Sequence, residues 1–423
     1  VMGITWTGKE AVRLSLRPLM PMRPADTLTR EHGAMMQKVT LRAGEVEVQP
    51  VSDLPAVVFR HSGVFMGSPD WWRKFEYLDD RGRYVDFQED MWSPGIFELK
   101  LVPRQTEYLV VFVGRPPEGK PEDLVMEAAQ HALAGDPGHH LPPEVRALSV
   151  ATETFVLGDG EVIVAGYPWL DVWSRDWLLA FRGTFLVREQ IERAQRSLQL
   201  LVAQLTDDFL PQRLTVPNAL RTPCIDASLW LFHAVEGVLD CKEDAEFLGQ
   251  MLPVLDRIFS RIESGEKNHA WLTSEGLLEN AGTVPLTWMD AHVDGHGFTP
   301  RRGLAVELQA LWYAATQSYA RLLERAGRVE RAAEARELGE RTRLAFGRRF
   351  WSTSTNYPFD CVSGESEKGD SWEDATIRPN GLIAAAVAPE LFESWQRLEI
   401  LSRVEELLLT ERGLRTLDPR SPV

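Results

Sequence analysis

The spacing of hydrophobic positions changes along the chain and predicts two kinds of structure. Residues 1–116 contain short runs of β-branched and aromatic residues that end at Gly or Pro, namely EVEVQPVS, AVVFRHSG, GIFELKLVP and EYLVVFVGR. The segment LDDRGR is expected to form a turn between two of them. Strands at this spacing are typical of an antiparallel β-sandwich.

Beyond residue 143 the hydrophobic positions recur every three to four residues, which is the period of an amphipathic helix. This period runs through REQIERAQRSLQLLVAQL, IDASLWLFHAVEGVLD, DAEFLGQMLPVLDRIFSRIES, VELQALWYAATQSYARLLERAG, RVERAAEARELGERTRLAFGRRFW and LFESWQRLEILSRVEELLLT. The segment RPNGLIAAAVAP is apolar on nearly every side and predicts a fully buried helix. Antiparallel helices joined by long loops predict an α/α toroid. A helical-repeat solenoid is the alternative, but we find no self-similar period of about 30 to 50 residues.

A segment rich in Pro, Gly and charge separates the two regions. It contains GRPPEGKPED and GDPGHHLPPE, with a helical stretch, DLVMEAAQHALA, between them. We therefore predict a β-sandwich domain over residues 1–116, a linker over 117–143 and a helical domain over 144–423. The adjacent His139 and His140 lie in this linker and are expected to be solvated.

The composition narrows the possible partners. The chain has 423 residues, of which 44% are hydrophobic and 26% are charged, and its net charge is −16. This negative charge argues against nucleic acid as a partner and is compatible with a neutral ligand. A need for solubility explains the charge equally well. Three cysteines at irregular spacing predict reduced thiols in a cytoplasm. Because no apolar run has membrane-spanning length and no nucleotide or metal motif is found, we expect no membrane partner, no cofactor and no metal. The oligomeric state is left open.

Two loop segments place aromatic and charged residues at the start of a helix. AGYPWLDVWSRDWLLAFRG contains Trp173, Arg175 and Asp176, and TPCIDASLWLFHAVE contains Asp226 and Trp230 four residues apart, on one face. Arginine and aspartate together can bind adjacent hydroxyls, and aromatic rings suit the apolar faces of sugars. Helix capping by each aspartate is an equally simple explanation.

Two further segments add a candidate acid. In LTWMDAHVDGHGFTPR, Trp288 precedes Asp290, and an aromatic wall that desolvates a carboxyl raises its pKa and keeps the proton needed for general acid catalysis. A local Asx turn is the alternative for Asp290. Downstream lie further polar candidates at the ends of this loop and at the starts of two helices: Arg301, Glu307, Arg378 and Asn380.

Five strings in this order resemble the amylo-α-1,6-glucosidase family, the C-terminal module of glycogen debranching enzymes. They are AGYPWLDVWSRD, DASLWLF, LTWMDAHVDGHGFTPRRGLAVELQALWYAA, IRPNGL and GLRTLDP, and FEYLDDRGRYVDFQEDMWSPGIFELKL is similar to the N-terminal part of the family's bacterial members. The resemblance implies a β-sandwich and an (α/α)6 barrel with the site at one mouth. It also implies inverting hydrolysis of the α-1,6-linked glucose at a glycogen branch. Asp290 would be the general acid, and the glucose pocket would be lined by Trp173, Arg175, Asp176, Asp226, Trp230, Trp288, Arg301, Glu307, Arg378 and Asn380.

The chain also departs from the family pattern. Ser174 replaces a glycine, Leu304 a lysine and Gln309 an asparagine. The family's general base lies downstream of GLRTL, so we expect it beyond Val423 in a chain that is incomplete at both ends, with Glu307 as a less favoured base. Two alternatives stay open: a related glucosidase that acts on another α-glucoside, and a non-catalytic carbohydrate-binding protein.

Overall fold

The computed structural model describes most of the chain, in two compact units, Val1–Thr154 and Phe155–Val423. The described residues are 2–23, 27–33, 39–42, 44–52, 54–82, 86–114, 118–134, 141–158, 160–167, 170–206, 208–215, 222–264, 269–280, 286–293, 296–299, 301–365 and 371–421. Both predicted boundaries, at 116/117 and 143/144, fall within the first unit, and the extent of the linker stays a prediction.

The first unit contains two antiparallel sheets. Its strands are β1 (Met2–Thr5), β2 (Val12–Leu16), β3 (Val39–Arg42), β4 (Glu45–Val48), β5 (Val57–His61), β6 (Val64–Glu76), β7 (Gln88–Leu101) and β8 (Thr106–Val113). One sheet has the order β1-β8-β5-β4-β3 and the other β2-β7-β6. The four strands predicted from the sequence are confirmed as β4, β5, β7 and β8.

Side chains from both sheets form one core in this unit. The rings of Phe59 on β5 and Phe97 on β7 lie 5.2 Å apart, and Trp92 on β7 is fully buried beside Val46 and Val48 of β4. This face-to-face packing is that of a sandwich.

Three helices accompany the sheets in the first unit: α1 (Leu78–Gly82), α2 (Pro121–Ala134) and α3 (Pro143–Thr152). The helical stretch expected between the two Pro-rich segments is confirmed as α2. The turn expected at LDDRGR is instead the short helix α1, whose first turn carries Asp79 and Asp80, where the helix dipole favours acids.

The second unit is mostly helical. Its helices are α4 (Ser174–Phe181), which continues as a π-helix (Arg182–Leu186), α5 (Ile191–Val202), α6 (Ile225–Cys241), α7 (Ala245–Glu263), α8 (Val306–Arg325), α9 (Val329–Arg349), α10 (Asn380–Val387) and α11 (Ser394–Leu407). The helices predicted from the three-to-four spacing are confirmed. Helices α4, α6, α8 and α10 contact one another in succession, while α5 and α7 pack on α6, α9 on α8 and α11 on α10.

The apolar positions of the helices meet in two cores. Phe259 of α7 packs on Tyr319 and Trp312 of α8, with ring centroids 4.4 and 4.9 Å away. A second core joins α8, α9, α10 and α11 and includes the stacked rings of Phe346 and Phe350. Helices α6 and α8 are therefore buried over most of their length.

Helix α10 corrects one prediction, because it is not buried on all sides. Only Asn380, Gly381 and Ala384 are buried, while Leu382 and Ile383 line a cavity. An apolar sequence pattern is the same for a side chain in a core and for one in a cavity wall, and so it could not distinguish the two.

Short strand pairs connect the helices and hold the loops. They are β9 (Val156–Leu157), β10 (Val162–Ile163), β11 (Ala270–Leu272), β12 (Leu278–Asn280), β13 (His292–Val293), β14 (His296–Gly297), β15 (Leu304–Ala305), β16 (Trp351–Ser352), β17 (Tyr357–Pro358), β18 (Cys361–Val362), β19 (Glu373–Asp374), β20 (Leu409–Thr410) and β21 (Gly413–Leu414). Strand β18 pairs with both β15 and β19, and this sheet joins the loop before α8 to the loop before α10.

Candidate active site

The helical unit contains a cavity of about 700 Å³ to which all four predicted segments contribute. Its lining includes the predicted residues Trp173, Arg175, Asp176, Asp226, Trp230, Trp288, Asp290 and Glu307, together with Leu170, Leu179, Leu311, Pro379, Leu382, Ile383, Leu414 and Thr416. The other predicted residues, Arg301, Arg378 and Asn380, do not line the cavity, but Arg301 pairs with Glu307 and Asn380 accepts from Trp288, which do. Segments far apart in the sequence thus converge on one site.

Arg175 links two of the acids at the cavity. It is in the first turn of α4 and is 7% exposed. Its Nε donates to Asp226 Oδ2 at 2.6 Å, and its Nη1 donates to Asp290 Oδ2 at 3.0 Å. Burial lowers the pKa of Arg175, but Asp226, Cys224 and Asp290 outweigh burial and hold this pKa above its ordinary value. The guanidinium therefore stays charged between the two carboxyl groups.

Asp226 is in the first turn of α6 and forms no N-terminal cap. The residue at the N-cap is Cys224, and its side chain makes no capping bond. Asp226 Oδ1 accepts from the amide of Ala227 at 2.8 Å and from the thiol of Cys224 at 3.1 Å. Burial raises the pKa of Cys224, which favours the neutral thiol that donates this bond. The carboxylate is thus held on both oxygens.

The Asp290 carboxyl contacts residues that are far away in the sequence. A local Asx turn was the alternative explanation for an aspartate at this position. Its Oδ2 accepts from Arg175, 115 residues away in sequence, and from Gln212 Nε2, 78 residues away, at 2.6 Å. Its side chain is 23% exposed. Among the described residues, none donates a hydrogen bond to Oδ1. The carboxyl therefore has an arginine beside it, it shares the cavity with Trp288, and its free oxygen is available to a ligand.

Asp176 and the aromatic residues complete the accessible wall. Asp176 is half-buried in the first turn of α4, and no side chain of the described residues donates to its carboxyl. Burial raises the pKa of Asp176, Arg175 lowers it, and Asp290 and Asp226 raise it further. The indole of Trp288 is fixed because its Nε1 donates to Asn380 Oδ1 at 2.8 Å. The ring of Trp173 lies under the guanidinium of Arg213, at 5.4 Å.

A second, more deeply buried charge cluster lies behind Trp288. Arg301 donates to both Glu307 Oε2 and Asp360 Oδ2. Arg378 Nε lies 3.4 Å from Asp360 Oδ2, and Asn380 Nδ2 donates to Asp360 Oδ1 at 2.8 Å. Asp360 thus joins three predicted residues that do not line the cavity.

Glu307 is the member of this cluster that reaches the cavity. Its Oε1 is buried and has no hydrogen-bond partner in the described part of the chain. Burial raises the pKa of Glu307 to about 7, with Arg301 opposing and Asp360 adding to the shift. Because Arg301 is shared with Asp360, it does not fully offset the burial of Glu307.

Sequence reasoning missed Gln212, Cys224 and Asp360. Gln212 lies in FLPQRL, a string without an acid or an aromatic–charge pair to attract attention. A signal existed for Asp360, because Arg301 and Arg378 at buried positions need a nearby carboxylate. No cluster of three or more His, Cys, Asp or Glu side chains suited to a metal ion occurs in the described ranges. Likewise, none of the helices described above is long and apolar enough to cross a membrane.

Two solved structures resemble the chain at low sequence identity. One is the GH78 family rhamnosidase of Bacillus sp. GL1, with a TM-score of 0.48, 13% identity and coverage of 85% of this chain and 38% of that chain. The other is the rhamnosidase from Klebsiella oxytoca with rhamnose bound, with a TM-score of 0.48, 15% identity and coverage of 94% of this chain and 79% of that chain.

Sequence comparisons give a family. The glycogen debranching enzyme of Saccharomyces cerevisiae is 24% identical over 346 residues, which cover 61% of this chain and 22% of the yeast protein. This chain therefore spans only about a fifth of that relative. The family model described as glycogen debranching enzyme N terminal matches residues 1–108, and the one described as amylo-alpha-1,6-glucosidase matches residues 150–423. The chain belongs to the amylo-alpha-1,6-glucosidase family.

Proposed function

We propose that this protein is a glycoside hydrolase that removes α-1,6-linked glucose from the branch points of glycogen or limit dextrin, with Asp290 as the general acid. The proposal rests on the hydrogen bonds of the Asp290 carboxyl, which lines the cavity. Its Oδ2 accepts from Arg175 and Gln212, while no described residue donates to Oδ1. A carboxyl held in this way can present a proton on Oδ1 to a glycosidic oxygen.

The rest of the cavity suits a neutral sugar. Trp173, Trp230 and Trp288 offer aromatic surfaces for the apolar faces of a glucose ring. Asp176 and Glu307 Oε1 offer acceptors for its hydroxyl groups, since neither accepts a hydrogen bond from a described side chain. A hydroxyl that donates to Glu307 Oε1 would satisfy an oxygen that is otherwise buried without a partner, which favours binding.

The proposed stereochemistry is inversion. An inverting mechanism needs a second carboxylate about 6.5–9.5 Å from the acid to activate a water molecule. Both acids are already paired with a buried arginine, Asp226 with Arg175 and Glu307 with Arg301, although Glu307 Oε1 has no partner among the described residues. We therefore give both of them roles in holding the site and in binding substrate, and we assign the base to neither.

We further propose that the helical unit adopts the (α/α)6 toroid fold, with the cavity at one mouth. The succession of α4, α6, α8 and α10, each in contact with the next, supports an inner ring of helices. A cytoplasmic location and a branched α-glucan partner belong to the same proposal.

The test replaces the acid without changing its size. In the protein carrying Asp290→Asn, we expect glucose release from a limit dextrin to fall by about 100- to 10,000-fold, because the amide cannot donate the carboxyl proton. Binding of the same oligosaccharide, measured by calorimetry, is expected to change only a few-fold. Asp208→Asn is the matched control, because Asp208 pairs with Arg257 away from the cavity.

The outcomes separate the alternatives. Wild-type turnover in the Asp290→Asn protein would remove Asp290 from the role of acid. If the wild type binds maltooligosaccharides and hydrolyses no α-glucoside, the protein is a carbohydrate-binding protein. If it releases glucose only from substrates other than α-1,6 branches, the chemistry holds and the substrate assignment is wrong.

A further inference from the structure

We propose that Gln212 is a positioning residue for Asp290, which fixes the transferable proton on Oδ1 by occupying Oδ2. This inference rests on the proposed role of Asp290 as the general acid. It adds a residue that carries no charge and does not line the cavity.

Three contacts hold Gln212 in place. Its backbone amide donates to the carbonyl of Thr222 at 2.7 Å, and its carbonyl accepts from the amide of Ser174 at 3.1 Å. The hydroxyl of Thr222 donates to Gln212 Oε1 at 3.2 Å. The amide presents Nε2 to the acceptor oxygen of Asp290, and the Thr222 hydroxyl, which can donate or accept, then donates to Oε1.

The chemistry of the donors then decides where the proton sits. Gln212 Nε2 lies 2.6 Å from Asp290 Oδ2, and Arg175 Nη1 lies 3.0 Å from the same oxygen. Both nitrogen groups only donate hydrogen bonds, so a proton on Oδ2 would point at another proton. The protonated carboxyl therefore carries its proton on Oδ1, the oxygen to which no described residue donates.

Gln212 differs from Arg175 in a way that makes the role testable. Arg175 also pairs with Asp226, so its removal leaves two carboxylates without a cation. Gln212 is neutral, and its side-chain nitrogen donates to Asp290. Its replacement therefore removes one donor from the acid and leaves the net charge of the site unchanged.

The experiment compares Gln212→Leu with wild type in the pH dependence of glucose release. We expect the high-pH limb of the kcat/KM profile to move up by about one pH unit, because the ionised carboxylate loses a donor and the protonated acid persists to higher pH. We also expect kcat at the optimum to fall about 10-fold or more, with KM changed less than about threefold. Gln250→Leu is the matched control, because Gln250 is an exposed residue of α7 that pairs with Gln199.

Thr222→Val provides a second variant, in which the new side chain has nearly the same size and shape as the old one. It removes only the hydroxyl that bonds to Gln212 Oε1 and supports the amide, so we expect a smaller shift in the same direction. It carries the test if the Gln212→Leu protein does not fold.

An unshifted high-pH limb in a folded Gln212→Leu protein that still releases glucose would overturn the inference. Failure of the proposed function itself is distinguishable, because the wild type would then release no glucose. In that case, titration of the carbon-13-labelled Asp290 carboxyl by NMR in wild type and Gln212→Leu decides the point. Equal titration curves would overturn the inference, and an upward shift in the variant would support it.

Discussion

Glu307 shares its cation, Arg301, with a second buried acid, Asp360, and this sharing affects the pKa of Glu307. Arg301 donates to Glu307 and to Asp360, and all three side chains are buried. Burial raises the pKa of Glu307 to about 7. Close to neutral pH, therefore, a fraction of the molecules carries a neutral Glu307. In those molecules one oxygen of the carboxyl group can donate a hydrogen bond, whereas the ionised carboxylate only accepts hydrogen bonds from ligand hydroxyls.

The raised pKa of Glu307 predicts a pH dependence of stability. Between the ordinary pKa of 4.5 and the folded value of about 7, the folded state binds more protons than the unfolded state. The free energy of unfolding should therefore fall as pH rises through this window, by up to about 1.4 kcal/mol per pH unit, and level off above it. Glu307→Gln removes this contribution, so the stability advantage of wild type over the variant should shrink from pH 4.5 to pH 7.

Urea denaturation at a series of pH values measures that difference. Glu324→Gln is the control, because Glu324 lies on the same helix in an exposed pair with Arg336. A constant difference between wild type and Glu307→Gln across the window would show that Arg301 keeps Glu307 ionised throughout.

At the scale of elements, α10 forms one wall of the cavity while it packs tightly on β17. A Cβ atom at Gly381 would lie 2.6 Å from Pro358 Cγ and 2.7 Å from Tyr357 Cε1. The absence of a side chain there lets the start of α10 approach β17, and the neighbouring Asn380 then reaches both Trp288 and Asp360. Leu382 and Ile383 face the cavity from the same helix.

This packing predicts opposite results for two helical glycines. Gly381→Ala should destabilise the protein by about 1–3 kcal/mol and weaken oligosaccharide binding, since the helix must move away from a ring and a proline. Gly249→Ala in α7, where a Cβ would meet nothing within 4 Å, should stabilise it by up to about 1 kcal/mol. Thermal melting with and without oligosaccharide measures both. Equal effects of the two substitutions would mean that α10 is free to shift.

At the scale of the whole molecule, the features that could be predicted from the sequence are those that depend on a local pattern of residues. The helix period identified α5 to α9. Residues close in sequence, such as Trp288 and Asp290, marked the loop before α8 as part of a site because they lie together in one string. The contacts of Gln212 with Asp290 and of Asp360 with Arg301 span 78 and 59 residues. Such contacts depend on how helices and loops pack, and no local spacing in the sequence contains that information.

The division into two units predicts which part of the molecule a bound oligosaccharide stabilises. Every described residue that lines the cavity belongs to Phe155–Val423, whereas the sandwich core belongs to Val1–Thr154. An oligosaccharide present at about 100 times its Kd stabilises the form that binds it by about 2.7 kcal/mol. Amide hydrogen exchange should therefore slow by up to about 100-fold in α4, α6 and α10, where opening releases the ligand.

The same measurement should leave β4, β5, β7 and β8 unchanged, because their opening does not require release of the ligand. Mass spectrometry of peptides from both units gives the two results in one experiment, and Asp290→Asn provides a protein that binds without turnover. Equal slowing in the sheets and the helices would mean that the sandwich either contacts the ligand or unfolds only together with the helices. Protection confined to the helical unit would place substrate recognition entirely within Phe155–Val423.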